Sequence, residues 1–561
     1  MALADQPRIA ALALAESWRR LRRNLAGGNR LRIAGPAPER LTLAPPDLNT
    51  GDPTVAQEIY SGIYHFAGRE VSTGGANPFE MRDMPSAWQH ELHSFGWLRH
   101  LAASDNALSA SHARALLRDW SRLNRTPGKT IAWEVGTASM RLIHWLCHSV
   151  LIVDGATLQE YRSFMKSIGQ HVRYLRAIAP QAPGGRPRLL AYIALAYADV
   201  CLSGKKAGGR QAQQNLGAEL ERQFLPDGGH VTRNPSVLPE VLALLLPLRQ
   251  SQARLGAAPV PEFVAAIDRM VPAIRFFRMG DGNMAHFNGA STTPHDLIAT
   301  IMRYDDALGE PPESATFSRY ERLRRGEAIV VIDTGPPPRG ELSATAHAGC
   351  LSFELSDGNS PLIINCGAPP NPDPETAKLA RMTAAHSTVT LNNRSSCRFN
   401  SPGFMDNYLG SLVFSGPSKV HCSRTEEGGA ISVEADHDGY LRDFGIVHQR
   451  TLRLAADGRR LTGMDRFVTN SGRAPTQATR DTAAIRFHLH PGVHVERVQE
   501  GVVTLTAGNG ARWRFVSADV ACHIDDSIFF ATPERGRHTQ QIVLEAKVSK
   551  TNEIRWIFER Q

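Results

Sequence analysis

The sequence predicts an α+β chain of several domains, with a run of helices first and an antiparallel β-sandwich after it. From about residue 86 to residue 308, apolar residues recur every three and four positions, which is the helical spacing. From about residue 316 onward the period is two, and Gly, Asn and Asp turns separate short segments. A chain of 561 residues also exceeds one compact core. We therefore expect a lead-in at 1–54, a helical domain at 55–312 and the sandwich at 313–561.

The helical half consists of periodic segments that end at breaks such as Pro180–Pro187 and Asp227–Gly229. Segments of this length with short connections predict antiparallel helical hairpins. The expected helices are Ala87–Leu101, Ala107–Leu123, Ala138–Leu151, Leu158–Ile178, Leu189–Leu202, Gln211–Phe224, Val237–Leu255 and Pro261–Arg278.

The second half reads as many short strands with no helix between them, which favours an antiparallel sandwich. The linker between the halves is expected near Gly309–Ser318, and Gly335–Gly340 is expected to be a loop inside the sandwich. The expected strands are Ala328–Asp333, Leu351–Leu355, Leu362–Asn365, Thr388–Leu391, Ile431–Ala435, His448–Leu454, Arg460–Thr469, Ala484–Leu489, Val502–Ala507, Arg512–Ser517 and Gln540–Lys547.

The N-terminal segment predicts an amphipathic helix, because the apolar stretch Ile9–Ala15 is followed by the basic cluster Trp18–Arg23. A secretory signal has the opposite order and a small-residue cleavage site, so we expect a cytoplasmic protein. The helix either docks on the body or touches an anionic membrane surface, which would make the protein peripheral to the inner membrane. No apolar run reaches the length of a transmembrane helix.

Composition excludes several classes of protein. Seven scattered cysteines without a CxxC pair are typical of buried, reduced thiols rather than a disulfide framework. The net charge is +8, which would attract an acidic polymer, although a GC-rich genome enriches Arg equally well. The basic clusters lack interleaved aromatic residues, so nucleic acid is not an expected partner. The sequence leaves the oligomeric state open.

Three segments of the second half carry polar residues that an ordinary half-buried sheet does not need. They are Ala344–Ser356, Leu362–Gly367 and Ala384–Val389, and the polar residues in question are His347, Asn365 and His386. In these segments the chain resembles the heparinase II/III family of polysaccharide lyases. The resemblance implies that the helices close into an incomplete α/α toroid and that the ligand is an acidic glycan or oligosaccharide.

A lyase of this kind removes a proton next to a uronate carboxylate and expels the glycosidic oxygen, so it needs a neutraliser, a base and an acid. On the helical side the family shows Asn and His where this chain has Pro187 and Arg188. An arginine can neutralise a carboxylate, so Arg188 is a candidate binding residue. The alternative is a solvated residue in the first helical turn.

The segment that starts at Asp227-Gly-Gly matches a second family landmark, but Val237 and Leu238 stand where the family has Tyr and His. The usual base is therefore missing. Arg233 is expected to be a catalytic residue and His230 and Asn234 to bind substrate ahead of a helix N-terminus, which favours an anion. The alternative is that these three residues stabilise a loop.

Zinc-binding members of the family use a His, an Asp and a later His, and the matching residues here are His347, Asn365 and His386. A neutral Asn is a weak zinc ligand, so zinc is a possible cofactor rather than a required one. His347 and His386 are also candidate catalytic residues. The alternative is a hydrogen-bonded pair at the domain interface.

Trp133, Glu134 and Arg141 resemble the part of the family that lines the cleft, so the tryptophan is expected to stack a sugar ring and the charges to orient it. Tyr440 is the best remaining phenol for acid or base duty. The alternatives are a core tryptophan and a tyrosine that stabilises a turn. Two functions remain: a divergent lyase that cleaves an acidic glycan by β-elimination, and an inactive glycan-binding or scaffold protein that keeps the fold.

Overall fold

The structure is a computed structural model. It describes residues 6–28, 35–104, 106–203, 209–304, 309–371, 373–400, 410–476, 481–499, 501–533 and 536–561. Parts of the predicted lead-in, 1–5 and 29–34, lie outside the described residues. The described residues confirm the α+β organisation, with helices in the first part of the chain and antiparallel sheets in the second.

The N-terminal part is built of helices with a few short strands between them. The helices are α1 (Gln6–Gly28), α2 (Pro53–Tyr60), α3 (Ser86–Ser94), α4 (Leu98–Ala103), α5 (Ala107–Leu123), α6 (Val135–Cys147), α7 (Ser149–Val153), α8 (Leu158–Ile178), α9 (Arg186–Cys201), α10 (Gly209–Gln223), α11 (Val237–Arg254), α12 (Pro261–Phe277) and α13 (His295–Met302). The strands are β1 (Arg40–Leu41), β2 (Ile63–Phe66), β3 (Arg69–Ser72) and β4 (Leu202–Ser203).

Local chemistry sets several of the helix boundaries. Asn106 accepts a hydrogen bond from Ser109 N at the start of α5, and Thr157 forms a reciprocal capping box with Glu160 at the start of α8. The predicted helix Ala87–Leu101 is in fact two helices, because Phe95 adopts a left-handed conformation with φ of 62°.

Among its described residues, the C-terminal part consists of strands with two short helices, α14 (Pro374–Arg381) and α15 (Leu441–Phe444). The strands are β5 (Ser314–Ala315), β6 (Tyr320–Arg325), β7 (Ala328–Asp333), β8 (Phe353–Asp357), β9 (Ser360–Ile364), β10 (Val389–Leu391), β11 (Arg398–Phe399), β12 (Val413–Ser415), β13 (Val420–Glu427), β14 (Ala430–His437), β15 (Ile446–Leu454), β16 (Arg460–Thr469), β17 (Thr482–Leu489), β18 (His494–Gln499), β19 (Val502–Thr506), β20 (Arg512–Val516), β21 (Cys522–Phe529), β22 (Arg537–Lys547) and β23 (Glu553–Arg560).

Two large sheets form the sandwich. Within the described residues, one has the order β21-β22-β17-β9-β8-β7-β6-β5, with β10 also paired to β17. The other has the order β13-β14-β15-β16-β23-β20-β19-β18. Aromatic side chains from both sheets meet in the core, and the rings of Phe353 and Trp556 stack with centroids 5.6 Å apart. Gly463 is required there, since a Cβ would lie 2.0 Å from the Trp556 ring.

Candidate functional site

The Asp227-Gly-Gly turn joins the two domains. One oxygen of Asp227 accepts hydrogen bonds from the backbone N–H of Phe317 and of Ser318, and the other accepts one from the Ser318 hydroxyl. A Cβ on Gly229 would lie 1.8 Å from that hydroxyl oxygen, so only glycine fits this approach. The Asp227-Gly-Gly motif identified in the sequence therefore fixes the interdomain linker.

Arg233 is the centre of a buried network across the domain boundary. Its guanidinium donates to both carboxylate oxygens of Asp333, at 2.5 and 3.4 Å. It also donates to the backbone carbonyls of four β-domain residues, which are Ser318, Arg319, Gly335 and Pro336. Burial alone would lower the pKa of Arg233, but the Asp333 carboxylate outweighs it and raises that pKa, so the side chain stays charged.

This arrangement favours a structural role for Arg233 over the predicted catalytic one. The side chain is 8% exposed and its donors are directed at the β-domain backbone. Asn288 completes the network by donating to Asp333 and to the Tyr320 hydroxyl, which itself donates to the Arg233 carbonyl. A substrate carboxylate cannot reach this guanidinium without separating the two domains.

His230 and Arg188 belong to one polar network on the helical side. The buried His230 ring bonds to Gln223 Oε1 at 2.9 Å and to Thr232 Oγ1 at 2.6 Å. Burial lowers the pKa of His230 to about 3, so the ring is neutral and is a poor anion-binding group. Arg188 donates from Nε to Glu219, whose carboxylate is fully buried. The structure therefore favours the alternative that His230 stabilises a loop, and Arg188 has an internal counter-ion.

Asn234 lies near a close approach of the two domains. Its Oδ1 accepts from Ser236 N, which orders the turn into α11. A Cβ on Gly289 would lie 3.5 Å from the Asn234 amide nitrogen and 2.7 Å from the Thr345 carbonyl oxygen. Val237 is 8% exposed and Leu238 is fully buried, so both pack into the helical core. No proton-transfer group stands at either position.

His347 and His386 form a hydrogen-bonded pair of neutral imidazoles. His386 Nδ1 lies 2.8 Å from the Met382 carbonyl, which can only accept, so this nitrogen carries the proton. His386 Nε2 then accepts from His347 Nδ1 at 3.0 Å. Burial lowers the pKa of His386 to about 4 and holds the pKa of His347 well below its ordinary value. The proton of His347 is therefore on Nδ1, and the lone pair of its ring is on Nε2.

The predicted zinc ligands do not fit a zinc ion. Asn365 Oδ1 accepts from Ser387 N at 3.0 Å, and the two imidazoles are bonded to each other. Over the described ranges there is no cluster of three or more His, Cys, Asp or Glu side chains arranged for a metal. Two neutral rings and an amide supply no negative charge to balance Zn²⁺. We assign no step to a metal.

Tyr440 lies in the core of the sandwich, which favours the structural alternative over its predicted acid or base role. Its side chain is 1% exposed and its hydroxyl donates to the Val389 carbonyl at 2.6 Å. Burial raises the pKa of Tyr440 far above its ordinary value. The residue holds the segment before α15 against β10.

Trp133 and Arg141 also belong to a core, in this case that of the helical domain. Trp133 is 2% exposed and stacks on His171 with ring centroids 4.7 Å apart. Arg141 is fully buried and lies 4.1 Å from the Trp120 ring centroid, and it donates to His171 and to the His93 carbonyl. Neither residue is available to a sugar. Glu134 is exposed and lies 3.4 Å from His90, away from these rings.

The residues that organise the interface were largely missed by sequence reasoning. Asp333 ends a strand, Asn288 lies in a loop, and Glu219 falls on a helix face, so none of them belongs to a recognisable motif. One signal was available: an arginine next to the intact Asp-Gly-Gly turn needs a carboxylate partner if it is buried. Asp333, the last residue of the first apolar strand after the linker, was the candidate.

A helical domain followed by an antiparallel β-sandwich is the architecture of the polysaccharide lyase-like class with an α/α toroid. The sequence model described as "Heparinase II/III-like, C-terminal" matches residues 308–557. The chain is also 32% identical to FtsZ-localized protein C of Caulobacter vibrioides (strain NA1000 / CB15N), over 95% of this chain and 92% of that protein. The chain belongs to the heparinase II/III-like family.

Solved structures agree on the fold. The crystal structure of heparinase III superimposes with a TM-score of 0.72 at 14% identity, over 95% of this chain and 88% of that one. A heparan sulfate lyase mutant from Pedobacter heparinus gives a TM-score of 0.61 at 16% identity, over 99% of this chain and 88% of that one. Across the residues whose positions the structure gives, none of the helices is both long and apolar enough to cross a bilayer.

Proposed function

We propose that this polysaccharide lyase-like protein is a scaffold without eliminase turnover, which acts together with FtsZ. The observation that carries the proposal is that the polar groups expected to act on a substrate are bonded to other parts of the molecule. Among the described residues, Arg233 is bound to Asp333, His230 to Gln223 and Tyr440 to a core carbonyl. Val237 and Leu238 replace the family's proton-transfer residues. A fold kept without its chemistry is typical of a binding protein.

The relative named as FtsZ-localized supports a role at the site where FtsZ assembles. Its similarity covers nearly all of both chains, so both domains are part of the likeness. The test is binding of the purified chain to immobilised FtsZ from the same organism. We expect saturable binding by the intact protein. If the protein does not bind at concentrations that saturate a control partner of FtsZ, this proposal is overturned.

We also propose that α1 keeps the protein at the inner face of the cell membrane. Leu14, Trp18, Leu21 and Leu25 are 71, 56, 47 and 66% exposed. At about 100° per residue, these four side chains fall within an arc of about 60°. Arg22 flanks this apolar face and lies 5.0 Å from the Trp18 ring centroid, which suits an anionic lipid surface. The remainder of the protein is then cytoplasmic.

A weak β-eliminase that acts on a uronate-containing glycan is the second candidate, and one observation favours it. The His347–His386 pair presents a neutral imidazole whose Nε2 can accept a proton, and the backbone N–H of His347 lies 3.5 Å from Asn288 Oδ1 of the helical part. An imidazole with a lowered pKa is neutral at pH 7 but is a weak base. An elimination assay on uronate-containing polymers separates the two candidates.

A further inference from the structure

A small cavity lies between the helical part and the β-domain. One wall is the loop 278–294, which joins α12 to α13, and the other is formed by β8, β9 and the ends of β17 and β21. Gly280 fixes the loop on the β-domain. Its N–H donates to Ser356 Oγ at 3.1 Å, and a Cβ on it would lie 1.7 Å from the Gly358 carbonyl oxygen. The free volume is about 50 Å³, which is room for a ligand of only a few heavy atoms.

Glu354 places a buried carboxylate in this cavity. Alternation along β8 puts Phe353 in the sandwich core and Glu354 on the opposite face, towards the cavity. The Glu354 side chain is 2% exposed, and its Oε1 accepts from the backbone N–H of His286 at 3.1 Å and of Asn365 at 2.9 Å. Within the described ranges, no hydrogen-bond donor reaches Oε2. A buried carboxylate oxygen without a donor is costly, so the site favours a ligand that carries one.

Two other groups of the cavity lining are buried and have no hydrogen-bond partner in the described part of the chain. They are Ser291 Oγ and His286 Nδ1, which lies 3.4 Å from Glu354 Oε1. His490 Nδ1 accepts from the Gly492 N–H, and burial lowers the pKa of His490 to about 4, so this ring is neutral and its proton is on Nε2. Unsatisfied polar groups on a cavity wall indicate a small polar ligand.

The charges around the cavity favour a cation. Asp281 adds a second carboxylate to the lining, and its oxygens accept from the backbone N–H and the amide of Asn283. Arg537 is close enough to lower the pKa of His490, but it is exposed and is not part of the lining. A charged N–H donor bonds to a carboxylate more strongly than a neutral one does.

The rest of the wall is apolar. Three of its side chains form one cluster: Ile364, Phe529 and Ala531. An aromatic ring favours a nearby cation, and aliphatic side chains favour a short alkyl chain. The lining thus suits a ligand with a charged head and a small apolar body.

We propose that this cavity binds a small primary alkylammonium ion. Its N–H groups donate to Glu354 Oε2, and its alkyl chain lies against the cluster around Phe529. A sugar ring is too large for the cavity, so the proposal does not depend on a glycan ligand. It is also independent of binding to FtsZ.

The first experiment titrates three probes into the full-length wild type by ligand-observed NMR. Propylammonium should bind at least about tenfold more tightly than propanol, which has its size without the charge, and than tetramethylammonium, which has charge but no N–H. Burial alone would lower the pKa of His286, but Glu354 outweighs it and raises that pKa. The titration is therefore done at pH 8.5, where an imidazole is mainly neutral and competes least for the carboxylate.

Equal binding of propanol would overturn the requirement for a cation, and equal binding of tetramethylammonium would overturn the requirement for a donor. If none of the probes shows saturable binding, the cavity holds water only and the proposal is overturned.

The second experiment locates the site with variants of the full chain. In Glu354→Gln one oxygen can still accept from the two backbone N–H groups, but an amide donor replaces Oε2, so propylammonium should bind at least about tenfold more weakly. Glu310→Gln is the matched control, because Glu310 forms an exposed pair with Arg324, and it should bind as the wild type does.

Thr292→Met keeps the carboxylate but fills the cavity, since Thr292 is part of its lining, and it should also abolish binding. This variant decides the question if Glu354→Gln does not fold. Wild-type affinity for propylammonium in either folded cavity variant would overturn the proposal.

Discussion

At the residue scale, the buried arginines of this protein are structural. Arg450 makes the same point as Arg233: it donates to both oxygens of Asp465 at 2.8 and 3.1 Å and to the carbonyls of Leu351 and Ser387. Those carbonyls belong to segments that flank strands of the other sheet. A guanidinium has five donors in a fixed plane, so it can join several backbone segments at once.

Replacement of Arg233 with Ala should lower the free energy of unfolding by about 3–5 kcal/mol, since Asp333 would remain charged, buried and unpaired. Denaturant unfolding measures this. Arg398→Ala is the control, because Arg398 pairs with Asp443 but is 40% exposed. That change should cost at most about 1 kcal/mol. Equal losses for the two variants would contradict the structural role of Arg233.

Replacement of Tyr440 with Phe should cost about 1 kcal/mol of unfolding free energy, because it removes one buried hydrogen bond and keeps the ring. Affinity for an acidic oligosaccharide should not change. A large change in that affinity, with the unfolding free energy unaffected, would show that Tyr440 contributes to ligand binding.

At the scale of elements, the sequence predicted long amphipathic helices and buried strands well. Ala107–Leu123 and Leu158–Ile178 are confirmed, as are Ala328–Asp333 and Arg460–Thr469. The predictions failed where the side-chain pattern is mixed. Val420–Glu427 is an edge strand and is polar along nearly its whole length, so no period of two was visible.

The apolar face of α1 leads to a prediction at the same scale. The double variant Leu14→Gln, Trp18→Gln should lose at least about tenfold in affinity for phosphatidylglycerol vesicles, because each side chain contributes about 1.5–3 kcal/mol when buried. Vesicle flotation measures this. Leu158→Gln is the control, since Leu158 is 63% exposed but lies on α8. Loss of binding in the control, or none in the double variant, would contradict the membrane role.

At the scale of the whole molecule, the fold could be predicted from the sequence, but the internal bonding of the candidate site residues could not. Periodicity and the family resemblance gave the order of domains, and the segments around His347 and His386 do lie together. The sequence could not show that Arg233, His230 and Tyr440 are internally bonded. A polar residue next to a motif looks the same whether its partner is a substrate or another part of the chain.

Buried histidines should make the stability of the protein depend on pH. Burial lowers the pKa of His144, His386 and His490 to about 4, and that of His93 and His488 to about 3. Each pKa is depressed on folding, so below the unfolded value of about 6.5 the unfolded chain binds more protons. Stability is therefore complete above that pH and falls as the pH drops towards 4.

Each fully shifted histidine adds a slope of up to about 1.4 kcal/mol per pH unit in that window. Urea unfolding between pH 7.5 and pH 4.5 should show a steep loss of unfolding free energy. This is roughly the pH range in which a free histidine titrates. The variant His386→Gln should reduce the slope. A pH-independent unfolding free energy across this range would contradict the neutral state of the buried rings.

The central claim is that the polar groups expected to act on a substrate are bonded inside the protein, so that no eliminase chemistry remains. The most direct test is an elimination assay of the wild type on a panel of uronate-containing polymers, with ultraviolet absorbance of the unsaturated product as the readout and His347→Gln as the comparison. We predict no product above the buffer control and no difference between the two proteins. Product formation by the wild type that is lost in His347→Gln would contradict the claim and establish the protein as a lyase.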